Sequence, residues 1–250
     1  MALYPQAKQL LLPENAVQRK ITPTQVIVHT AVDSKTASSL YPYFSRGDVG
    51  AESHFFVKWN GVVEQYVDTS VMANANRFAD VRAISIETED DGDPEGNPWS
   101  PEQMIALTLL IDWCCSTHHI PRHQCPQWDW PGLGWHSMWG FKDPVNLTGT
   151  LPDSPWTMFK GKTCPGRARI RQFLDIVLPS LEALEDVDVP EDDEDIMDLW
   201  LYINACYHEA GRAHDEDGKG RRYWYRDFLS NTGEERVKRM QLMEQLLELP

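Results

Sequence analysis

The chain has 250 residues, 42% of them hydrophobic, with 10 Trp, 8 Tyr and 8 Phe, which is enough to bury a sizeable core and excludes a disordered chain. A formal net charge of −15 and a pI of about 4.9 exclude a sequence-independent grip on nucleic-acid phosphates and disfavour anionic lipid surfaces. The 5 cysteines, an odd number that includes the adjacent Cys114 and Cys115, do not form a disulfide framework and read as free thiols.

The N-terminus lacks a basic stretch followed by a sustained apolar run, so no secretory signal is expected. No apolar run approaches the roughly 18–20 residues of a membrane span, and no membrane insertion is expected. The first part of the chain reads as mixed α/β. "QVIVHT" (25–30), "HFFVKW" (54–59), "VVEQYV" (62–67) and "AISIET" (83–88) are strand-like by their β-branched and aromatic content. Asn60-Gly61 predicts a two-residue hairpin turn between the second and third of these.

A helix is predicted from Ser100. Ser100 is the cap, Pro101 the first helical residue and Gln103 the third member of a capping box. Met104, Leu107, Ile111 and Cys115 recur at helical spacing and predict the face that packs on the sheet. Residues 121–165 read as a long loop rich in Pro, Gly and Trp, a length usually reserved for function. A second helix is predicted from about Arg167 to Leu184, with Pro179 placed to kink or shorten it. The acidic 185–195 then reads as a linker, and 196–250 as a small helical module.

The residues able to carry chemistry are scattered over these elements. His29 stands in a strand of aliphatics and, taken singly, reads as a core histidine. On the strand 83–88, alternation puts Ala83, Ser85 and Glu87 on one face. Alone, Glu87 reads as an edge-strand carboxylate in water. His136 lies among glycines and tryptophans in "GLGWHSMWG". Cys164 in "KGKTCPG" precedes a helix and follows Lys162 by two positions, a setting that favours thiolate. Two imidazoles and one thiolate are a donor set suited to a zinc site with an open fourth position. "HHIPRHQC" offers a second set, His119, His123 and Cys125, but Pro121 breaks helical spacing there and no further partner follows.

Taken in order, His29, "SIETE", the glycine-flanked His136 and "KTCPG" resemble a known family. It is the zinc-dependent N-acetylmuramoyl-L-alanine amidases (amidase type 2) shared by phage lysozymes and peptidoglycan recognition proteins. The hairpin "SHFFVKWNGVVEQYV" matches the family's second strand pair, and the resemblance covers about residues 22–180. It implies a mixed central β-sheet flanked by helices, with a catalytic domain over 1–184 followed by the linker and the helical module. It implies Zn2+ held by His29, His136 and Cys164, Glu87 as general base and Lys162 stabilising the oxyanion. The partner implied is bacterial peptidoglycan, cleaved between N-acetylmuramic acid and L-alanine; the sequence leaves the oligomeric state open.

Two departures from the family stand out. Ser53 occupies a position where many members carry a tyrosine, and alternation predicts that Ser53 faces the site and His54 faces away. The interval from His136 to Cys164 is also long, which predicts an inserted wall of the groove. There Trp139, Trp156 and Phe159 either stack on sugar or peptide or simply pin the loop. In the C-terminal module, Tyr223, Trp224 and Tyr225 are either wall-binding aromatics or core residues. The expectation is an endolysin made in the host cytoplasm, which acts on the wall after holin-type release. A non-catalytic peptidoglycan recognition protein and a cytoplasmic amidase that recycles muropeptides are the alternatives.

Overall fold

In the computed structural model the described residues are 1–13, 18–32, 39–46, 48–90, 92–139, 155–157 and 162–185. Phe159, most of the predicted linker and the whole predicted module 196–250 lie outside them. Among the described residues, no helix is long and apolar enough to cross a membrane.

A six-stranded mixed sheet organises the domain. Its strands are β1 (Lys8–Gln9), β2 (Gln25–Ala31), β3 (Phe55–Val57), β4 (Val63–Gln65), β5 (Ala83–Glu89) and β6 (Gly132–Trp135), in the spatial order β1-β4-β3-β5-β2-β6. Only β3 and β4 run antiparallel; every other neighbouring pair is parallel. The helices are α1 (Tyr41–Phe44), α2 (Pro101–His118), α3 (Arg167–Gln172) and α4 (Leu178–Glu185). The expected mixed sheet flanked by helices is therefore what forms.

Alternation along β3 divides the two faces of the sheet. The Phe55 ring meets Trp113 of α2 at 6.3 Å, edge to face. Its neighbour Phe56 joins Leu12, Leu40, Phe44, Tyr66, Val67 and Val71 in a separate buried cluster beside α1. Helix α2 starts as predicted: the Ser100 hydroxyl accepts from the Gln103 amide, and the Gln103 side chain returns to the Ser100 backbone. Met104, Leu107, Ile111 and Cys115 are all buried.

Three local expectations change. The hairpin loop is longer than two residues: the Gly61 amide donates to Lys58 O at 2.9 Å, and the Lys58 amide to Val62 O at 2.9 Å. Gly61 takes φ +82°, so a three-residue loop closes with glycine in the left-handed position. The helix from Arg167 also passes Pro179 and ends at Glu185. A π-helical turn, Phe173–Val177, joins α3 to α4 just ahead of Pro179.

The third change is β6, a strand inside the stretch expected to be loop throughout. Its composition, Gly-Leu-Gly-Trp, hides it, because half of it has no side chain. At Gly134 the reason is packing: a Cβ would lie 2.8 Å from Met138 Sδ and 2.9 Å from the Trp156 ring. β6 pairs with β2 through Val28 and Trp135, and the His136 amide continues the ladder to Val28 O at 3.1 Å.

Candidate metal centre

The strand register brings the candidate residues level with one another. His29 of β2 pairs with Glu87 of β5, while His136 follows the Val28–Trp135 pair on the other side of β2. Three adjacent parallel strands therefore deliver an imidazole, a carboxylate and a second imidazole at one height of the sheet. The His29 and His136 rings lie 4.3 Å apart.

Cys164 completes the group from the segment before α3. The Ser137 amide donates to Cys164 O at 3.0 Å, and the Thr30 amide donates to Cys164 Sγ at 3.2 Å. One donor atom from each of His29, His136 and Cys164 lies within 4.8 Å of the others, the only such group among the described residues. The corner that follows Cys164 depends on Gly166. Its φ is +101°, and a Cβ there would stand 2.0 Å from Pro94 O, a backbone atom with no easy retreat. Gly166→Ala should therefore cost about 2–3 kcal/mol, read as a lower urea midpoint with an unchanged slope.

Hydrogen bonds away from the centre select the atoms that face it. The His29 Nε2–H donates to Asn76 Oδ1 at 2.7 Å, and the His136 Nε2–H donates to Trp156 O at 2.9 Å. Both rings thereby turn Nδ1 inward as an acceptor, and the buried His136 Nδ1 has no protein partner. Metal-ligating histidines show this arrangement, one nitrogen on the ion and the other donating to a carbonyl or carboxylate. His54 is the contrast within the same chain. Its Nε2 donates to Val71 O at 2.8 Å and its Nδ1 accepts from the Ser85 amide at 3.0 Å, so both nitrogens are used and no donor remains.

Burial sets the charge state of the group. Desolvation pulls the His29 pKa down to about 3 and holds His136 well below the ordinary imidazole value, with the Lys162 charge adding to both. Neutral imidazole is the ligating form. Burial raises the Cys164 thiol to about 12, and the nearby Glu87 adds to the rise. The thiol therefore needs a cation to ionise, which the positive charges of Lys162 and Arg169 favour. Glu87 lies with Oε1 3.8 Å from His29 Nδ1, and its buried Oε2 has no hydrogen-bond partner. Desolvation lifts its pKa to about 7, against the pull of Lys162.

Behind the centre, on the helix side of the sheet, the guanidinium of Arg169 is completely buried. It donates to Thr30 Oγ1 and faces Asp90 Oδ1 at 3.8 Å. Thr88 links this group to the ligand strand, its hydroxyl donating to His29 O at 2.8 Å and accepting from Trp99 Nε1 at 2.9 Å. Arg169 and Asn76 are supporting residues that sequence reasoning did not single out. Arg169 carries a detectable signal, standing one helical turn before Phe173 on the buried side of α3.

Other sequence candidates fall elsewhere. Ser53 is buried, and its hydroxyl turns to the carbonyls of Ser85 at 2.8 Å and Phe55 at 3.1 Å. It does not face the site as expected: Phe56 pairs with Glu87, so alternation puts Ser53 with Phe55 on the α2 side of the sheet. Trp156 has 0% exposure and donates its indole N–H to Trp128 O at 2.9 Å. It is a core residue whose carbonyl orients His136, not a platform for sugar. Trp139, at 9% exposure, is also mostly covered. His119 ends α2 in the left-handed conformation, His123 is exposed and Cys125 is buried, so "HHIPRHQC" assembles no donor set.

A family model described as N-acetylmuramoyl-L-alanine amidase matches residues 19–167. No curated protein matches the chain in sequence. Among solved structures, the chain is similar to the N-acetylmuramoyl-L-alanine amidase LysC from Clostridium intestinale URNW. That match has 16% identity and a TM-score of 0.43, and covers 72% of this chain and 99% of that one. It is similar to a mutant endolysin from Bacillus subtilis at 19% identity and TM-score 0.44, covering 71% and 97%. It is also similar to the Staphylococcus aureus hydrolase AmiA in complex with its ligand, at 16% identity and TM-score 0.40, covering 54% and 65%.

Proposed function

The chain belongs to the N-acetylmuramoyl-L-alanine amidase family, and from that premise we propose a zinc-dependent peptidoglycan hydrolase with His29, His136 and Cys164 as the metal ligands. The observation that carries the reading is the convergence of three donor atoms within 4.8 Å, with both imidazole Nε2 atoms already engaged elsewhere. Two neutral nitrogens and a sulfur suit zinc over the hard, oxygen-seeking cations. Held there, zinc supplies Lewis acidity toward the scissile carbonyl and acidifies a water molecule.

The remaining steps belong to the chain's own residues. Glu87, as carboxylate, takes the proton of the attacking water at Oε2 and returns it to the departing alanine amine. Its elevated pKa suits both halves of that exchange. Lys162 places a positive charge toward the oxygen that becomes anionic. Its charge acts on His29, Glu87, His136 and Cys164 alike, which supports a role at this centre. Ser53 leaves no tyrosine for proton transfer, so Glu87 carries it. The aromatic contact with substrate is assigned to Trp139, which keeps 9% exposure where Trp156 has none.

The reading extends to an endolysin acting on intact sacculi, with 1–184 as catalytic domain, 185–195 as linker and 196–250 as a wall-binding module. The aromatic run Tyr223 to Tyr225 supports that last assignment. Mass spectrometry of peptidoglycan digested by the zinc-loaded protein should show free L-alanine amino termini and intact glycan strands. New reducing ends without new amines overturn the amidase reading. Turnover confined to soluble muropeptides would favour recycling, and binding without turnover would favour a recognition protein.

A further inference from the structure

Asn76 lies on neither the ligand strands nor the loop that carries His136, yet it meets the metal centre directly. It has 0% exposure, and its Oδ1 accepts the His29 Nε2–H at 2.7 Å. The other end of the amide is held as well, its Nδ2 donating to Ser85 Oγ at 2.5 Å. The backbone beneath is equally fixed: Asp80 Oδ1 accepts from the amides of Ala75 at 3.0 Å and Asn76 at 2.5 Å.

The turn continues toward the other imidazole. Arg77, with φ +57°, donates to Thr157 O at 3.3 Å, and the Phe78 amide donates to Pro155 O at 3.2 Å. Between those two anchored residues stands Trp156, whose carbonyl accepts the His136 Nε2–H. One five-residue turn, Asn76 to Asp80, thus supplies the acceptor for one ring and pins the strap that supplies it for the other.

We propose that Asn76 is a positioning residue of the metal centre, taking the Nε2 hydrogen of His29 so that Nδ1 is reserved for the metal. The inference rests on the zinc reading above and adds a requirement that reading does not make. An imidazole whose second nitrogen has no acceptor samples both tautomers and rotates. Its ligating nitrogen is then correctly presented for only part of the time, and the metal is held less tightly. A carboxylate at the same position would still accept the hydrogen, whereas an aliphatic side chain of similar volume would not.

The test uses the full chain, stripped of metal and titrated with zinc against a chromophoric chelator. Asn76→Leu should raise the zinc Kd by about 10–100-fold, and Asn76→Asp should stay within about threefold of the parent, because it keeps an acceptor. Equal affinity in Asn76→Leu and the parent overturns the proposal. An equal loss in both variants overturns it too, since packing alone would then explain Asn76. A second measurement does not depend on either variant folding. In the zinc-loaded parent, labelled with 15N-histidine, long-range correlation should place the His29 proton on Nε2. A proton on Nδ1 overturns the assignment. A parent that holds no zinc contradicts the metal reading itself, an outcome separate from the other two.

Discussion

Cys164→Ser is expected to abolish both metal retention and hydrolysis. The hydroxyl of serine is a far harder and less acidic donor than a thiol, and the two neutral imidazoles that remain hold zinc poorly. The backbone amide of Thr30, which now points at Cys164 Sγ over 3.2 Å, would still be satisfied by an oxygen, so the fold should survive. Losing the metal forfeits several kcal/mol of transition-state stabilisation, about a thousandfold in rate at 1.36 kcal/mol per decade. Elemental analysis of the purified variant should find zinc well below one ion per chain. Release of L-alanine amino termini from purified walls should fall in parallel. A variant that keeps zinc and full turnover would remove Cys164 from the centre.

Glu87→Gln should separate metal binding from proton transfer. The substitution preserves shape and removes the carboxylate, so zinc should remain while kcat falls about 100- to 10,000-fold. The pH profile gives a second reading of the same residue. Burial raises Glu87 to about 7, with Lys162 pulling the other way, and a bound cation pulls further downward. The acidic limb of kcat/KM should thus have its midpoint at or below pH 7. The sign is fixed by the role: the base must be deprotonated, so activity is lost as pH falls through that midpoint and is complete above it. In Glu87→Gln the remaining activity should lack this limb. An unchanged limb in the variant would assign it to another group.

What the sequence made legible follows the regularities of strand and cap. The strands of His29 and Glu87 are legible because both are rich in β-branched residues, while the register that sets the two side by side is not. Ser100, Pro101 and Gln103 announce α2 by local chemistry alone. At Ser53 the pleat holds but the expected face is the wrong one, because nothing local says that Phe56 and not Phe55 pairs with Glu87. Alternation could not reveal β6, in which Gly134 makes room for the ring of Trp156 and Gly132 for the backbone of His123 and Cys125. Asn76 and Trp156 were hidden for a related reason. Their contribution is made by a carboxamide and a backbone carbonyl toward residues distant in the chain, and spacing within a short window carries no trace of that. Trp156 reads in sequence either as a groove aromatic or as a pin for its loop; its ring lies against Gly134 and its indole N–H donates to Trp128 O.

The bond from the Ser137 amide to Cys164 O, at 3.0 Å, joins the two ends of the long interval between the second and third donors. Together with the Thr30 amide on Cys164 Sγ, it ties both ends to the sheet. The spacing of the donors is thereby fixed by these two bonds and not by the length of the interval. Closing a longer loop costs only about 0.6 kcal/mol per doubling of length. Changes of length between those anchors should therefore leave the donor spacing intact so long as Pro155–Thr157, which holds His136, is kept.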